Sequence, residues 1–215
     1  MDGEPAGRVV VELISESRIA SQRFLDLVVG LGGVRYRNSK VLELMDNYIA
    51  IEGVRRLSYG GGESQIAGGE DVLDLERELG STRLSFDGPG LVSLIVADDK
   101  PRNISQRVVA VKGKLVSVER EEGAERPNGT GFAITTGPAP ELDGRNIIVG
   151  KVVQGEDIVQ RISQLPKNKP NTSSPYFQAG KAIGDKRANV AERAFNRPLA
   201  KAVIVSAGIL PEISV

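Results

Sequence analysis

The chain has no cysteine and no histidine among its 215 residues. Without cysteine there are no disulfides, no thiolate nucleophile and no thiolate metal site, and the redox state of the compartment leaves no mark. Without histidine the commonest metal ligand and the usual general base near neutral pH are gone, so triad hydrolysis and zinc chemistry are excluded as leading readings. No run approaches the roughly 18 apolar residues of a membrane span. The opening "MDGEPAGR" lacks the basic-then-apolar layout of a signal peptide. Formal charge is zero, which gives no global pull towards nucleic acid.

What remains, 40% hydrophobic and 26% charged, fits one soluble globular domain with a sizeable core. "GRVVVELISE" (7–16) starts with a β-branched run and reads as a strand. "SRIASQRFLDLVVGL" spaces Ala20, Phe24, Leu27, Val28 and Leu31 as an amphipathic helix, with Ser17 placed to cap it and Gly30, Gly32 and Gly33 to end it. Short strands follow in "KVLELM", "YIAIEGV", "TRLSF", "LVSLIVA", "GFAITT" and "NIIVGKV", divided by turn signals such as "DGPG" and "LDGR". "GEDIVQRISQL" is a second helix, acidic at its positive end, with Ile158, Ile162 and Leu165 on one face. "LAKAVIVSAGIL" is the last strand.

This order predicts a mainly β fold: a closed or nearly closed antiparallel barrel with a helix at each end, spanning 7–210 with short tails at 1–6 and 211–215. Two insertions interrupt it. In about 98–128, "RVVAVKGKLVSVE" alternates on either side of Gly113, as a hairpin with Gly113 at the first central turn position would. About 166–198 run from a loop, "PKNKPNTSSP", into "DKRANVAERAF", a short helix that Asp185 is placed to cap. Residues 167–197 hold seven cations against two acids, a net +5 that leaves −5 for the rest of the chain. Tyr176, Phe177 and Phe195 accompany Lys181, Lys186, Arg187 and Arg193 there, and aromatics beside arginine are the usual make-up of interface anchors. A protein with its positive charge gathered in one segment suits an acidic protein face or anionic head groups; a solvated loop is the plainer alternative. The glycine-rich 60–69 lacks the Lys-Ser/Thr end of a phosphate-binding loop and reads as a flexible turn, and "VEREEGAER" reads as a solvated acidic run.

Residues 129–162, "GTGFAITTGPAPELDGRNIIVGKVVQGEDIVQRI", resemble the cyclophilins, the peptidyl-prolyl cis-trans isomerases, most specifically in "LDGRNIIVGKVVQGEDIV". "DGPGLVSLIV", "GRVVVEL" and the loop "GGGESQIAGGED" also match motifs of that family, over about 7–165 and 199–210. The resemblance implies an eight-stranded antiparallel β-barrel capped by two α-helices. The insertion "SPYFQAGKAIGDKRANVAERAFNRP" looks like that of divergent plant chloroplast cyclophilins, which implies a chloroplast and thylakoid-lumen address. A protein partner is expected, a photosynthetic membrane complex being one form of it, with peripheral membrane contact as a separate option, no transmembrane segment and no nucleic acid. No cofactor or metal is expected.

Cyclophilins are understood to fit a twisted prolyl amide, lowering a barrier of about 20 kcal/mol, with an arginine, an apolar pocket and Gln/Asn groups that hold the backbone. A gapless alignment of the stretch around "MDNYIAIEGV" puts the family arginine on Glu43, its phenylalanine and methionine on Tyr48 and Ile49, and its glutamine on Ile51. Its Ala-Asn pair becomes Ile95 and Val96, its backbone-holding glutamine Gly131, its pocket phenylalanine Ala133, its tryptophan Glu141 and its histidine Asn146. Leu142 keeps its type. An ionised carboxylate only accepts hydrogen bonds, so Glu43 opposes a substrate carbonyl acceptor to acceptor. The expectation is a degenerate isomerase site on a binding, scaffold or assembly protein; the alternative is a weak isomerase that aids folding. The bland reading has Glu43 and Glu141 solvated or paired with Arg35, Arg37 or Arg145, and Ile49, Ile51, Ile95 and Val96 as ordinary core.

Overall fold

Period-two alternation sorts the sheet into two faces. In the structure, a computed structural model, the described residues are 3–31, 35–54, 72–98, 103–111, 114–122, 127, 129–183, 185, 188, 191 and 194–210. The strands Val10–Leu13 (β1), Val41–Leu44 (β2), Tyr48–Ile51 (β3), Leu91–Ile95 (β4), Phe132–Thr135 (β7) and Asn146–Gln154 (β8) form one antiparallel sheet in the order β1-β8-β4-β7-β3-β2. Cross-strand partners share a face, so Ile49 with Ile134, and Ile51 with Phe132 and Leu94, point to one side. There they join Val92, Ile147 and Val149 in the main core.

Helix α1, Arg18–Val29, lays Ala20, Phe24 and Leu27 onto that core and ends at Gly30 in the left-handed region. Ser17 does not cap it. The cap comes from Glu78, whose carboxylate accepts from Ile19 N (3.0 Å) and Ala20 N (2.8 Å). Glu78 sits on α2, Val72–Ser81, a helix the sequence reading missed. Its signal was present in Leu75 and Leu79 one turn apart and an acid, Asp74, in the first turn. Helix α3, Glu156–Ser163, forms as expected, but its buried residue is Val159; of the expected face Ile162 and Leu165 pack against the main core, while Ile158 is half-buried and not part of it. Helix α4, Pro175–Ala182, starts at the last residue of the expected loop and fills a stretch to which the sequence assigns no element. Of the helix expected from Asp185, Ala188 and Ala191 are helical and most of the remainder lies outside the described residues.

The expected barrel is met as a six-stranded sheet with four helices among the described residues. "TRLSF" forms no strand: Phe86 donates its amide to the side chain of Asp143 (3.3 Å), outside any ladder. The last strand shrinks to one bridge, Lys40 with Val203, supported by Val41 N to Ala202 O (3.0 Å) and Ile204 N to Ser39 O (2.9 Å). The inserted hairpin is there, as Asn103–Val111 (β5) and Lys114–Glu122 (β6), paired with each other. The pairing runs to Val111 with Lys114, and the expected turn position of Gly113 lies outside the described residues. Residues 112–113, the glycine-rich 60–69 and the end of the acidic run lie outside the described residues.

Candidate functional site

A β-bulge decides what the outer face carries. Val41 pairs with Ile51, but Glu43 pairs with Ala50, and the register shifts between them. Without the extra residue, Glu43 would share the inner face with Val41. The bulge turns it outward, in line with Ala50 and Ala133, while Leu44 opposite Ile49 stays in the core. On the same outer side a smaller apolar cluster unites Phe86, Ala133, Ala139, Leu142 and Ile148, with Tyr48 packed against it. Leu142 closes a single 3-10 turn, Pro140–Leu142, and Arg145 follows, its amide donating to Leu142 O (3.1 Å). The carbonyl of Arg145 accepts from Val96 N (3.1 Å) and Ala97 N (3.0 Å), which fixes the loop to the end of β4.

The charged rim of this cluster is legible at Tyr48. Burial pushes its phenol above the ordinary tyrosine range, the carboxylates of Glu43 and then Glu141 push it further, and the guanidinium of Arg145 pulls it back. Tyr48 therefore remains a neutral donor and acceptor at any physiological pH. Arg145, not Arg35 or Arg37, is the cation of this site.

The expected groove residues do not all come together. Glu43, Tyr48, Ala133, Glu141 and Leu142 belong to the outer side. Ile49, Ile51 and Val96 are 2%, 4% and 3% exposed and belong to the main core, so Ile51 offers nothing at the place of a substrate-holding amide. Half-buried Ile95 ends β4 opposite Asn146. Asn146, at the family histidine position, is buried and donates its amide to the hydroxyl of Ser93 (3.0 Å), a bond within the sheet. At Gly131 a side chain is not merely missing. A Cβ there would lie 3.3 Å from the carbonyl of Ile51 and 3.4 Å from the amide of Gly53, too tight for an unadjusted backbone. Ala50, opposite both Glu43 and Ala133, is the outer-face residue the gapless alignment overlooked, because an alignment without gaps carries no bulge.

The basic insertion begins and ends against the same strand. Lys167 donates its ammonium to Leu44 O (2.7 Å) and pairs with Asp46 (3.2 Å). Across from it, Asn196 O accepts from Leu44 N (2.8 Å), and Asn196 N donates to Asn168 O (2.8 Å). Bonds from Asn168 N to Arg197 O and from Leu199 N to Pro166 O complete a neck. Above the neck Phe177 stacks on Phe195 at 5.4 Å, so these two aromatics hold the insertion together. Tyr176 on α4 and Ile183 at its C-terminal cap, 90% and 80% exposed, are apolar groups left outward, near Lys181 in sequence. Ile183 escaped the sequence reading because one isoleucine in a polar segment carries no periodicity. Lys186, Arg187 and Arg193 lie outside the described residues. Among the described residues no cluster of three or more acids is arranged to hold a metal ion, and no helix is long and apolar enough to cross a membrane.

Comparison with known proteins agrees with this anatomy. The family described as "Cyclophilin type peptidyl-prolyl cis-trans isomerase/CLD" matches residues 1–178. The chain is 37% identical over 216 residues to the Arabidopsis thaliana protein named peptidyl-prolyl cis-trans isomerase CYP26-2, chloroplastic, covering 98% of this chain and 67% of that one. It is 29% identical over 214 residues to Arabidopsis thaliana CYP28, also named chloroplastic, covering 95% and 69%. Against peptidyl-prolyl cis-trans isomerase 9 of Caenorhabditis briggsae it is 25% identical over 193 residues, covering 87% and 53%. With its antiparallel sheet, its helices and the match across most of its length, the chain belongs to the cyclophilin-type peptidyl-prolyl cis-trans isomerase family.

Proposed function

We propose that this protein is a binding or assembly factor on a cyclophilin fold whose prolyl-isomerase site has degenerated, serving a protein complex in the chloroplast, within the thylakoid lumen. The observation that carries the reading is the bulge that turns Glu43 outward beside Tyr48 and Glu141, where a catalytic guanidinium would have to stand. The two chloroplastic relatives support the compartment. For the domain as a whole we infer the closed eight-stranded barrel of the family, which residues 202–204 would approach by extending the sheet beyond β2. A proline-containing peptide followed by protease-coupled or NMR-exchange assay is expected to isomerise at its uncatalysed rate; clear, saturable acceleration would overturn the proposal. Glu43→Arg alone should gain less than about a hundredfold, because groups that act as a unit are not recovered singly.

One observation favours the rival reading of a weak isomerase. Arg145 lies close enough to Tyr48 to perturb its phenol, so a guanidinium reaches the outer cluster from the loop after Leu142 instead of from β2. If acceleration is seen and Arg145→Ala abolishes it with the fold intact, that reading wins.

For the partner, the net charge of the insertion and the outward Tyr176 and Ile183 favour an acidic protein face docking on α4. Tyr176→Ala with Ile183→Ser should lower recovery of the dominant partner from the native compartment, and more so as salt rises. Undiminished recovery across the salt series would move the docking site to the outer cluster of the sheet.

A further inference from the structure

Tyr36 sits between two arginines and is 1% exposed. Its ring packs on Phe132 at 4.9 Å and on Phe24 at 5.4 Å. Its backbone is tied down as well, through Tyr36 N to Leu27 O (3.2 Å), Ser39 N to Tyr36 O (3.0 Å) and Asn38 N to Ile204 O (2.8 Å). An anchor in the middle of Arg-Tyr-Arg leaves its neighbours outside, and both line one open hollow of about 300 Å³ with Val28, Val205, Ser206 and Ala207. The stem of Arg35 lies over Gly30, where an added methyl would meet its Cβ and Cδ at 3.2 Å. Neither arginine has a hydrogen bond or ion pair among the described residues.

Two cations facing one hollow repel each other and favour an anion between them. Guanidinium groups match the fork of a carboxylate, and the hydroxyl of Ser206 adds a donor. The remaining wall, Val28, Val205 and Ala207, is aliphatic and would leave a bare inorganic ion half-solvated on one side. We propose that this hollow, which shares no residue with the outer cluster, binds a carboxylate carrying a short aliphatic chain, as an apolar C-terminal residue of a peptide does.

The test is a titration of the ¹⁵N-labelled full chain with N-acetyl-leucine, followed at the amides of Val205, Ser206 and Ala207. Saturable shifts are expected, with N-acetyl-leucinamide and inorganic phosphate each weaker by at least about tenfold. Arg35→Gln and Arg37→Gln should each weaken N-acetyl-leucine by at least about tenfold while leaving the thermal midpoint in place, since both side chains are exposed. Absence of saturable shifts, equal response to the amide, or unchanged binding in both variants would overturn the site. Phosphate binding as tightly as the acid would overturn the aliphatic half of the assignment.

Discussion

The two faces of the sheet are made from the same strands and obey different rules. On the inner face every rung across β2, β3, β7 and β4 is filled by a large apolar side chain, from Leu44 and Ile49 through Ile134 to Val92. On the outer face the central rung runs Glu43, Ala50, Ala133, Ser93, small or charged throughout, and apolar bulk arrives from the loops that bear Phe86 and Leu142. The inner face holds the fold, which leaves it little freedom to vary. The outer face, at Glu43, Ala133 and Glu141, can vary without touching that core, which is how a member of an enzyme family can keep its architecture while residues on one face change.

The most drastic way to break this contrast is to install the family's amide on the wrong face. Ile51→Gln puts a polar group into the main core and should cost about 3 kcal/mol or more, through lost apolar burial and an unpaired amide. Ala50→Gln, one residue away, sends the same group to the outer side, where Ala50 is 7% exposed, and should cost less, about 1–2 kcal/mol through crowding at the rim. Urea denaturation of the pair measures the difference, and similar values would mean the faces are misassigned. Next in size is the neck. Lys167→Met removes a charged bond to Leu44 O and the pairing with Asp46, for an expected loss of about 1–3 kcal/mol. A loss near zero would make the insertion a loosely tethered loop and not a part of the β2 edge.

The smallest effect concerns a polar atom set within the apolar core. The hydroxyl of Tyr36 is buried with no hydrogen-bond partner among the described residues, and burial pushes its phenol far above the ordinary value despite the pull of Arg23. Tyr36→Phe should leave stability within about 0.5 kcal/mol at neutral pH. Below pH about 10 both folded and unfolded chains keep the proton, so the phenol adds no pH dependence. Above it the unfolded chain releases the proton first, and stability falls as pH rises. The variant should lose part of that alkaline fall, seen in urea midpoints between pH about 9 and 11. Tyr48 keeps a share of it, being shifted in the same direction.

How far the sequence foretold this depends on what each feature needs to be visible. The strands of the sheet and helices α1 and α3 announce themselves by period, because burial on one face forces it. Helix α2 was hidden behind the glycine-rich stretch that precedes it, and its Glu78 cap of α1 is a contact between distant segments that no local rule predicts. The identities of Glu43, Gly131 and Asn146 at the aligned positions were readable in the sequence. Their arrangement was not: one extra residue in β2 exchanges inside for outside, and it appears in neither composition nor spacing. Lys167, one of the seven cations counted in the insertion, reaches under Leu44, a contact that spacing alone does not show.

The position of β1 bears on how the chain is made. Among the described residues its one strand partner is β8, near the far end of the domain, whereas β5 and β6 meet across two residues. On the ribosome the hairpin can close as soon as it emerges, but Val10–Leu13 must wait, edge unpaired, until Gly150–Gln154 has been synthesised. Made well before its partner, β1 is therefore among the later strands to be placed, and the acids at Glu4, Glu12 and Glu16 around it would disfavour pairing with a neighbouring nascent chain in the interval.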